Sequence, residues 1–319
     1  MSAHEVPEFI HETVLLTETV ASVLGVATLS NDIKKSGVFV DATFGRGGHS
    51  RLLLQYLAED ARLIVFDKDP QAIEVAENLA DKDSRVTVVH DSFATLTDSL
   101  NQIGITQVDG IMADLGVSSP QLDDGSRGFS FMRDGAIDMR MDTSRGQSVA
   151  EWLAEVDETT LADVLFQYGE ERHSRRIAKA IKQMPSYTST LELAEVIKQA
   201  HPKWQKGKHP ATQSFQAMRI FINNELCDIE TFLDQALQML AVGGRLAVIS
   251  FHSLEDRIIK QFLQRHSKGQ YPEDEHLPIP PMRPKLLSKP ERIAPSAAEI
   301  TANPRARSAW LRSATRLAD

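Results

Sequence analysis

A glycine-rich turn between two acidic residues is the first segment whose residue types could bind a small molecule. Residues 38–49 form a short aliphatic stretch that ends at Asp41 and continues into Gly45, Gly47 and Gly48. Glycines let the backbone approach a ligand closely, and the start of a following helix offers unpaired N–H groups. Asp67 comes twenty residues after Gly47, where an acidic side chain can accept both hydroxyls of a ribose. The pattern predicts a nucleoside-type cofactor. The alternative is a structural turn with Asp67 as a helix cap.

The spacing of the glycines bears on which cofactor this is. The turn reads Gly-x-Gly-Gly and lacks the Gly-x-Gly-x-x-Gly that holds a pyrophosphate in dinucleotide enzymes. Asp41 would repel a pyrophosphate, whereas it suits the positive sulfonium and ammonium groups of S-adenosylmethionine. We therefore expect S-adenosylmethionine and a methyltransferase. Two alternatives remain open: an NAD-dependent oxidoreductase, and a non-catalytic RNA-binding or ribosome-assembly factor that binds S-adenosylmethionine.

Short aliphatic stretches alternate with helical patterns around this turn, which is typical of βαβ units and a parallel sheet. Asp69-Pro70 reads as an N-cap followed by proline at the first helical position, and predicts a helix through Leu79. The predicted strands are Val38–Ala42, Leu63–Asp67, Val86–His90, Gly110–Asp114, Arg245–Ser250 and a final one within Ala309–Leu317.

The fourth and fifth predicted strands are separated by about 130 residues, too many for one crossover. A loop over Leu115–Arg145 is followed by helical patterns, two of which begin with a capping box, at Ser148 and Ser189. We therefore predict an inserted helical subdomain over residues 135–213, between core segments 1–134 and 214–319. Two helices, around Phe215–Leu226 and Ile229–Leu240, are expected to return to the sheet.

Charge is distributed unevenly. The chain carries a net charge of −9, yet Arg172–Lys208 contains nine Lys or Arg and two Glu. A helix over Glu170–Met184 would place a basic face opposite an apolar one. The predicted RNA-binding residues are Arg172, Arg175, Arg176, Lys179, Lys182, Trp204, Lys206 and Lys208. The segment Arg283–Asp319 is also basic, with eight Lys or Arg and three acids. The alternative is a face that is merely solvated.

Composition narrows the class of protein. Hydrophobic and charged fractions of 42% and 25% are those of a soluble globular chain. The acidic, polar start does not resemble a signal peptide, and no apolar run is long enough to span a membrane. Cys227 is the single cysteine, so an internal disulfide is excluded. We expect a cytoplasmic protein.

Several longer motifs resemble one family. They are His11-x-x-Val-Leu-Leu-x-Glu18, Asp41–His49, Asp114–Asp123, Arg127–Arg133, Gly169–Arg172, His209–Ala217, Ser250–Arg257 and Asn303–Ser308. Together they look like the bacterial RsmH (MraW) family, which methylates the exocyclic N4 of a cytosine in 16S rRNA. The resemblance implies a Rossmann-like, seven-stranded class I methyltransferase sheet with an inserted helical domain that binds substrate. It implies as target the cytosine at position 1402, within the small ribosomal subunit.

The same resemblance implies a set of site residues. By position, its cofactor contacts fall on Gly47, Gly48, His49, Asp67, Phe93, Asp114 and Gln121. Phe93 would pack its aromatic face against adenine, or belong to the core. Many amine methyltransferases carry Asp/Asn-Pro-Pro-aromatic after the fourth strand, whereas this chain has Asp114-Leu-Gly-Val. Asp114 therefore either contacts the cofactor, which we favour, or holds the target amine.

Two further groups of ionisable residues have alternative interpretations. His252 either receives the proton that the amine releases or is a structural histidine. Asp138 and Asp142 resemble a metal pair, but the arginines around them, Arg133, Arg140 and Arg145, favour a salt-bridged loop. We expect no metal, since methyl transfer requires none.

Overall fold

The protein is described by a computed structural model, which covers residues 13–202, 209–271, 276–278, 281 and 283–318. One seven-stranded sheet forms its centre, in the order β3-β2-β1-β4-β5-β7-β6. β1 to β5 are parallel, while β7 runs antiparallel to both β5 and β6. The strands are β1 (Val38–Asp41), β2 (Arg62–Asp67), β3 (Val86–His90), β4 (Val108–Asp114), β5 (Leu240–Ser250), β6 (Glu291–Ile293) and β7 (Trp310–Thr315).

All six predicted strands are present, so the Rossmann-like α/β prediction is confirmed. The three-residue β6 was not predicted, because it is too short to show a period of two. β5 begins at Leu240 rather than Arg245, and its register against β4 shifts between Val108 and Gly110. Among the described residues, no helix is both long and apolar enough to cross a membrane.

Thirteen α-helices lie in the described part of the chain. They are α1 (Leu16–Leu24), α2 (Gly48–Tyr56), α3 (Pro70–Ala80), α4 (Leu96–Gln102), α5 (Ser119–Asp123), α6 (Val149–Glu155), α7 (Glu158–Gly169), α8 (Ser174–Ile181), α9 (Thr190–Ala200), α10 (Ala211–Ile222), α11 (Glu225–Met239), α12 (Ser253–Lys268) and α13 (Ala297–Ala302).

Helix starts follow the predicted caps. Asp69 accepts the N–H of Gln71 at the start of α3, with Pro70 at the first helical position. Ser148 forms the complete capping box with Glu151, while at Ser189 the hydroxyl accepts the Glu192 N–H. These bonds satisfy N–H groups that lack a partner within the helix.

Both faces of the sheet are covered by helices. One hydrophobic cluster packs α4, α11 and α12 against the strands through side chains such as Phe232 and Ile259. A second cluster packs α1, α2 and α3 on the other face, with Leu53 and Leu63 fully buried. The parallel strands are therefore buried on both faces, as their nearly continuous aliphatic sequences indicate.

A third cluster lies among the helices between β4 and β5. It contains Trp152, Leu165, Ile177 and Ile197, from α6 to α9. It also contains Phe215 and Met218 of α10, so the expectation that this helix packs on the sheet is wrong. The reason is that α10 fills the space beside α7, where Gly169 is so close to Gln213 that a Cβ would lie 2.6 Å from its carbonyl oxygen. The boundaries 135 and 213 stay predictions.

Candidate active site

A cavity of about 250 Å³ opens at the carboxyl edge of the parallel strands. Its walls come from the segments that follow β1, β2, β3 and β4. β1 lies between β2 and β4, so the chain crosses to opposite sides of β1 at this point. Open α/β sheets bind ligands at such a reversal, because the loops on either side diverge there.

The glycine-rich turn forms one wall. Gly45 and Gly47 have left-handed φ values of 57° and 77°. A Cβ on Gly45 would meet nothing within 4 Å, whereas one on Gly47 would lie 2.6 Å from the Phe44 ring. Gly48 and His49 line the cavity, while Gly47 turns the chain behind them. α2 begins at Gly48 without a side-chain cap, and the N-terminal end of a helix attracts an anionic group.

Asp67 lies at the end of β2 and lines the cavity. Its oxygens accept the N–H groups of Gly45 (2.7 Å) and Asp69 (2.9 Å). Burial is the main cause that raises the pKa of its carboxyl group. The two backbone bonds hold the carboxylate in one orientation, and each oxygen keeps a lone pair for a ligand.

Phe93 begins a short 3₁₀ segment after β3 and lines the same cavity. Its ring packs edge-on against Phe232 at a centroid distance of 5.2 Å. It therefore contacts both the core and the cavity, and the two interpretations of this residue are compatible. Asp91, two residues earlier, also lines the wall.

Asp41 does not lie where the sequence predicted, at the wall of the cofactor cavity. Its carboxylate accepts the Ser50 hydroxyl (2.6 Å) and the Thr43 N–H (3.2 Å) and does not line the cavity. Burial is the main cause that raises its pKa to about 6. The argument that Asp41 itself faces a positive ligand is therefore wrong, because α2 packs over the end of β1.

Asp114 takes that place instead. It ends β4 and lines the cavity, and its Oδ1 atom is buried without a hydrogen-bond partner among the described residues. Oδ2 lies 3.9 Å from Nδ1 of His49, which is 5% exposed. Burial first, and then the charges of Asp41 and Glu255, raise the pKa of Asp114 well above its ordinary value. A positive group in the cavity would favour its ionised form.

Gln121 lines the opposite wall with both ends of its amide in use. Oε1 accepts the Ser118 N–H (2.9 Å), and Nε2 donates to Asp69 (2.8 Å). Arg127 donates to the same Asp69 carboxylate at 2.8 Å, and both partners of this ion pair are nearly buried. These bonds tie the segment after β4 to the start of α3, so they shape the cavity.

His252 caps α12 at the far end of the cavity. Its Nδ1 accepts the Glu255 N–H (3.4 Å), and its Nε2 lies 3.1 Å from Glu255 Oε1. With Nδ1 as acceptor, the ring proton is assigned to Nε2. His252 therefore directs both nitrogens at Glu255, an arrangement that fits a structural role.

A buried ion pair adjoins this histidine. Arg219 donates to both oxygens of Glu225, at 2.8 and 2.7 Å. Possible ligand atoms of Glu225, His252 and Glu255 lie within 4.8 Å of one another. The guanidinium already takes both Glu225 oxygens, so this group is an ion-pair network built around Arg219.

Arg219, Glu225 and Glu255 line the cavity and were not predicted. For Glu255 a signal existed, because His252-x-x-Glu255 has the spacing of a capping box. Arg219 lies on α10, about 100 residues from β4 in sequence. Only tertiary packing brings it to the cavity.

The predicted salt-bridged loop is present in part. Arg140 pairs with Asp138 at 2.8 Å and Arg145 with Asp142 at 3.4 Å. Arg133 donates instead to the Asp123 carbonyl. The paired arginines explain the two aspartates without a metal.

The basic residues of the insertion lie outside the cavity. Arg175, Arg176 and Lys179 are exposed on α8, opposite the buried Ile177 and Ile181. Arg172 is exposed in the turn before α8, which is shorter than the predicted Glu170–Met184.

Lys182 is used within the protein. It donates to the Leu153 carbonyl at 2.7 Å and lies over the Tyr187 ring. Trp204, Lys206 and Lys208 lie outside the described residues.

The sequence comparisons agree on one family. The sequence model of the MraW methylase family matches residues 8–317. A protein of Psychrobacter sp. (strain PRwf-1), named ribosomal RNA small subunit methyltransferase H, is 76% identical over 97% of this chain and 91% of its own length. Proteins of the same name from Psychrobacter arcticus and Acinetobacter baumannii are 74% and 57% identical, over 97% and 96% of this chain and 95% and 98% of their own lengths. The chain belongs to the MraW methylase family.

Proposed function

We propose that this protein transfers a methyl group from S-adenosylmethionine to the exocyclic N4 of a cytosine in 16S rRNA of the small ribosomal subunit, at position 1402. The observation that carries the proposed reaction concerns Asp114, which lines the cavity at the strand edge and whose buried Oδ1 has no hydrogen-bond partner among the described residues. The names of the relatives support rRNA of the small subunit as substrate. Cytosine N4 and its position follow from the motif resemblance.

The residues around the cavity fit this cofactor. Asp67 would hold the ribose hydroxyls, and Phe93 would pack against adenine. The uncapped start of α2, at Gly48 and His49, suits the carboxylate of the methionine moiety. Asp114 supplies negative charge for the positive end, and Gln121 closes the wall. When bound, S-adenosylmethionine supplies an activated methyl group.

The target amine presents a chemical problem that the cavity can solve. The lone pair of cytosine N4 is delocalised into the ring, so acceptors on its N–H groups make it a better nucleophile. Asp114 offers such an acceptor, and its raised pKa lies closer to the range of an effective base. The alternative is a proton acceptor at His252. That role requires Nδ1 to release the Glu255 N–H that it accepts.

Recognition of RNA would fall to the inserted helices. Arg172, Arg175, Arg176 and Lys179 form a basic face on a chain of net charge −9. Phosphate contacts from such a face position the substrate, while contacts within the cavity choose the base. On the basis of the sequence alone, we add Trp204, Lys206 and Lys208 to the proposed RNA-binding residues.

The test is transfer of labelled methyl groups onto purified small subunits, free 16S rRNA and DNA, with the modified nucleotide mapped. We expect one cytosine of the small-subunit RNA to carry the label on N4. Label on another atom, on another macromolecule or on none would contradict the proposal. Binding of S-adenosylmethionine without turnover on any substrate would favour the assembly-factor alternative, and binding of NAD the oxidoreductase.

A further inference from the structure

Glu255 is the most deeply buried carboxylate at the far end of the cavity. It is the third residue of α12, its exposed fraction is 0%, and it still lines the cavity wall. Its Oε2 atom accepts the N–H groups of Phe251 (2.8 Å) and His252 (3.2 Å). A carboxylate removed from water costs free energy unless its oxygens are satisfied. Oε2 therefore has its hydrogen-bond donors within the protein.

The other oxygen, Oε1, lies next to Gly116, which also lines the cavity. Its nearest donor is His252 Nε2 at 3.1 Å, and because a carboxylate oxygen can accept more than one hydrogen bond, Oε1 keeps a lone pair for a second donor. A Cβ built on Gly116 would lie 3.9 Å from this oxygen, so the turn after β4 leaves an opening beside it. Gly116 itself has a left-handed φ of 93°. An acceptor atom thus remains available where β4 ends.

Asp114 Oδ1 is a second buried acceptor, and it has no hydrogen-bond partner in the described part of the chain. Both carboxylates line the same cavity, and Gly116, the residue beside Glu255 Oε1, follows Asp114 by two positions. An exocyclic amine has two N–H groups, and each needs an acceptor when the amine leaves water. The two acceptor atoms, Asp114 Oδ1 and Glu255 Oε1, therefore match the two N–H donors of one exocyclic amine.

We propose that Glu255 binds the target amine directly, so that the amine lies between Asp114 and Glu255. This inference rests on the proposed function, and it assigns to Glu255 the choice of an amine over a carbonyl. Uracil carries an oxygen where cytosine carries N4. That oxygen would meet a carboxylate oxygen with no proton between them, which disfavours it.

The surroundings of Glu255 keep it in the required state. Burial raises its pKa, but the nearby His252, the Arg219 guanidinium and the Phe251 N–H outweigh this effect and lower it overall. Glu255 is therefore ionised when Asp114, with its raised pKa, is more easily protonated. Two neighbouring carboxylates with different pKa values can act in different roles, one as a charged hydrogen-bond acceptor and the other as a base. Glu255 holds the amine, and Asp114 is the better base for its proton.

The first experiment compares the wild type with Glu255→Gln. The Gln carbonyl can still accept the Phe251 and His252 N–H groups, while its NH₂ group points a donor at the amine. Small subunits that carry cytosine or uracil at the target position compete for binding in the presence of S-adenosylhomocysteine. We expect the wild type to prefer the cytosine subunits by roughly tenfold or more, and the variant to lose this preference. Calorimetry with S-adenosylmethionine should give equal affinities for both proteins.

Glu170→Gln is the matched control. Glu170 contacts the same helix, through Arg257 and Ser253, but lies outside the cavity wall. It should keep the preference for cytosine. Wild-type protein that binds both subunits equally, or a folded Glu255→Gln protein that keeps the preference, overturns the inference.

The experiments distinguish a failure of the proposed function from a failure of the proposed role of Glu255. A wild type that methylates no small-subunit RNA contradicts the proposed function itself. A wild type that methylates normally, with a Glu255→Gln variant of unchanged kcat and cytosine preference, contradicts the role of Glu255 alone. If Glu255→Gln lowers the Tm, Glu255→Asp keeps the charge and should recover part of the preference for cytosine, which a purely structural role would not predict.

Discussion

The acidic side chains in and beside the cavity differ in the hydrogen bonds that they already accept. Asp67 accepts two backbone N–H groups, and Asp41 accepts a hydroxyl and an N–H. Asp114 retains a buried oxygen with no donor in the described chain. Because an unpaired buried acceptor costs free energy, its partner is expected to come from a ligand.

Asp67→Ala should weaken binding of S-adenosylmethionine. If the carboxylate accepts both ribose hydroxyls, each lost bond costs roughly 1.5–3 kcal/mol, in part recovered by water. Calorimetry measures the affinity directly, and circular dichroism checks that the variant is folded. A folded variant with unchanged affinity would remove Asp67 from the cofactor site.

Asp114→Asn separates the two roles of that residue. If Asp114 serves the cofactor, the affinity for S-adenosylmethionine falls roughly tenfold or more, because a charged partner of the sulfonium is lost. If it holds the target amine and accepts its proton, kcat falls by about 100-fold or more while that affinity stays nearly constant. Single-turnover kinetics and calorimetry distinguish these results. A variant that is normal in both measurements would exclude Asp114 from the site.

At the scale of elements, α8 has two faces with different tasks. Ile177 and Ile181 are fully buried against the inserted helices, while Arg175, Arg176 and Lys179 are exposed. Substitution of the exposed face therefore leaves the packing intact, and Gln is a good helix former.

The Gln triple variant of Arg175, Arg176 and Lys179 should bind RNA more weakly. Each phosphate contact contributes about 0.7–0.9 to the slope of log affinity against log salt, so the slope should become shallower by about two units. Its affinity for S-adenosylmethionine should not change. Both affinities are measured across a salt series.

A double Gln variant of Arg62 and Lys82 is the control, since both are exposed outside the inserted helices, at the start of β2 and just after α3. If the slope of the triple variant stays at the wild-type value, the face on α8 is only solvated. The RNA contact would then be sought in the lysine-rich groove between α12 and residues 285–290.

At the scale of the whole molecule, the buried Asp41 reduces stability at neutral pH. Burial raises the pKa of Asp41 to about 6 from an ordinary value of 3.8. Between these values the folded protein holds the proton more tightly than the unfolded chain does. The free energy of unfolding therefore falls as the pH rises through this window, and changes little with this group above it.

Asp41→Asn should remove that dependence, since the Asn oxygen can accept the Thr43 N–H while its NH₂ group donates to the Ser50 hydroxyl. The variant should be close to wild type at pH 4 and more stable by about 3 kcal/mol above pH 6, as a shift of roughly two units implies. Urea unfolding of the ligand-free proteins at several pH values gives the difference. A difference that does not change between pH 4 and 7 would contradict the raised pKa.

Local sequence was enough to predict six of the seven strands, the caps at Asp69 and Ser148 and the cavity-lining Asp67, because each depends on neighbours within a few residues. The sequence also identified the family, through motifs that are spread along the whole chain. The packing of α10 beside α7, and with it Arg219 in the cavity, depended on contacts between distant segments.

Asp41 and Asp114 show the same difference between local sequence and tertiary packing most clearly. Asp41 and Asp114 both end parallel strands, so the sequence alone assigns both to one edge of the sheet. Which of them lines the cavity was decided by α2, whose Ser50 donates to Asp41, while Asp114 Oδ1 has no partner in the described chain. A strand pattern determines where a side chain lies along the sheet, but only packing across the sheet determines what covers it.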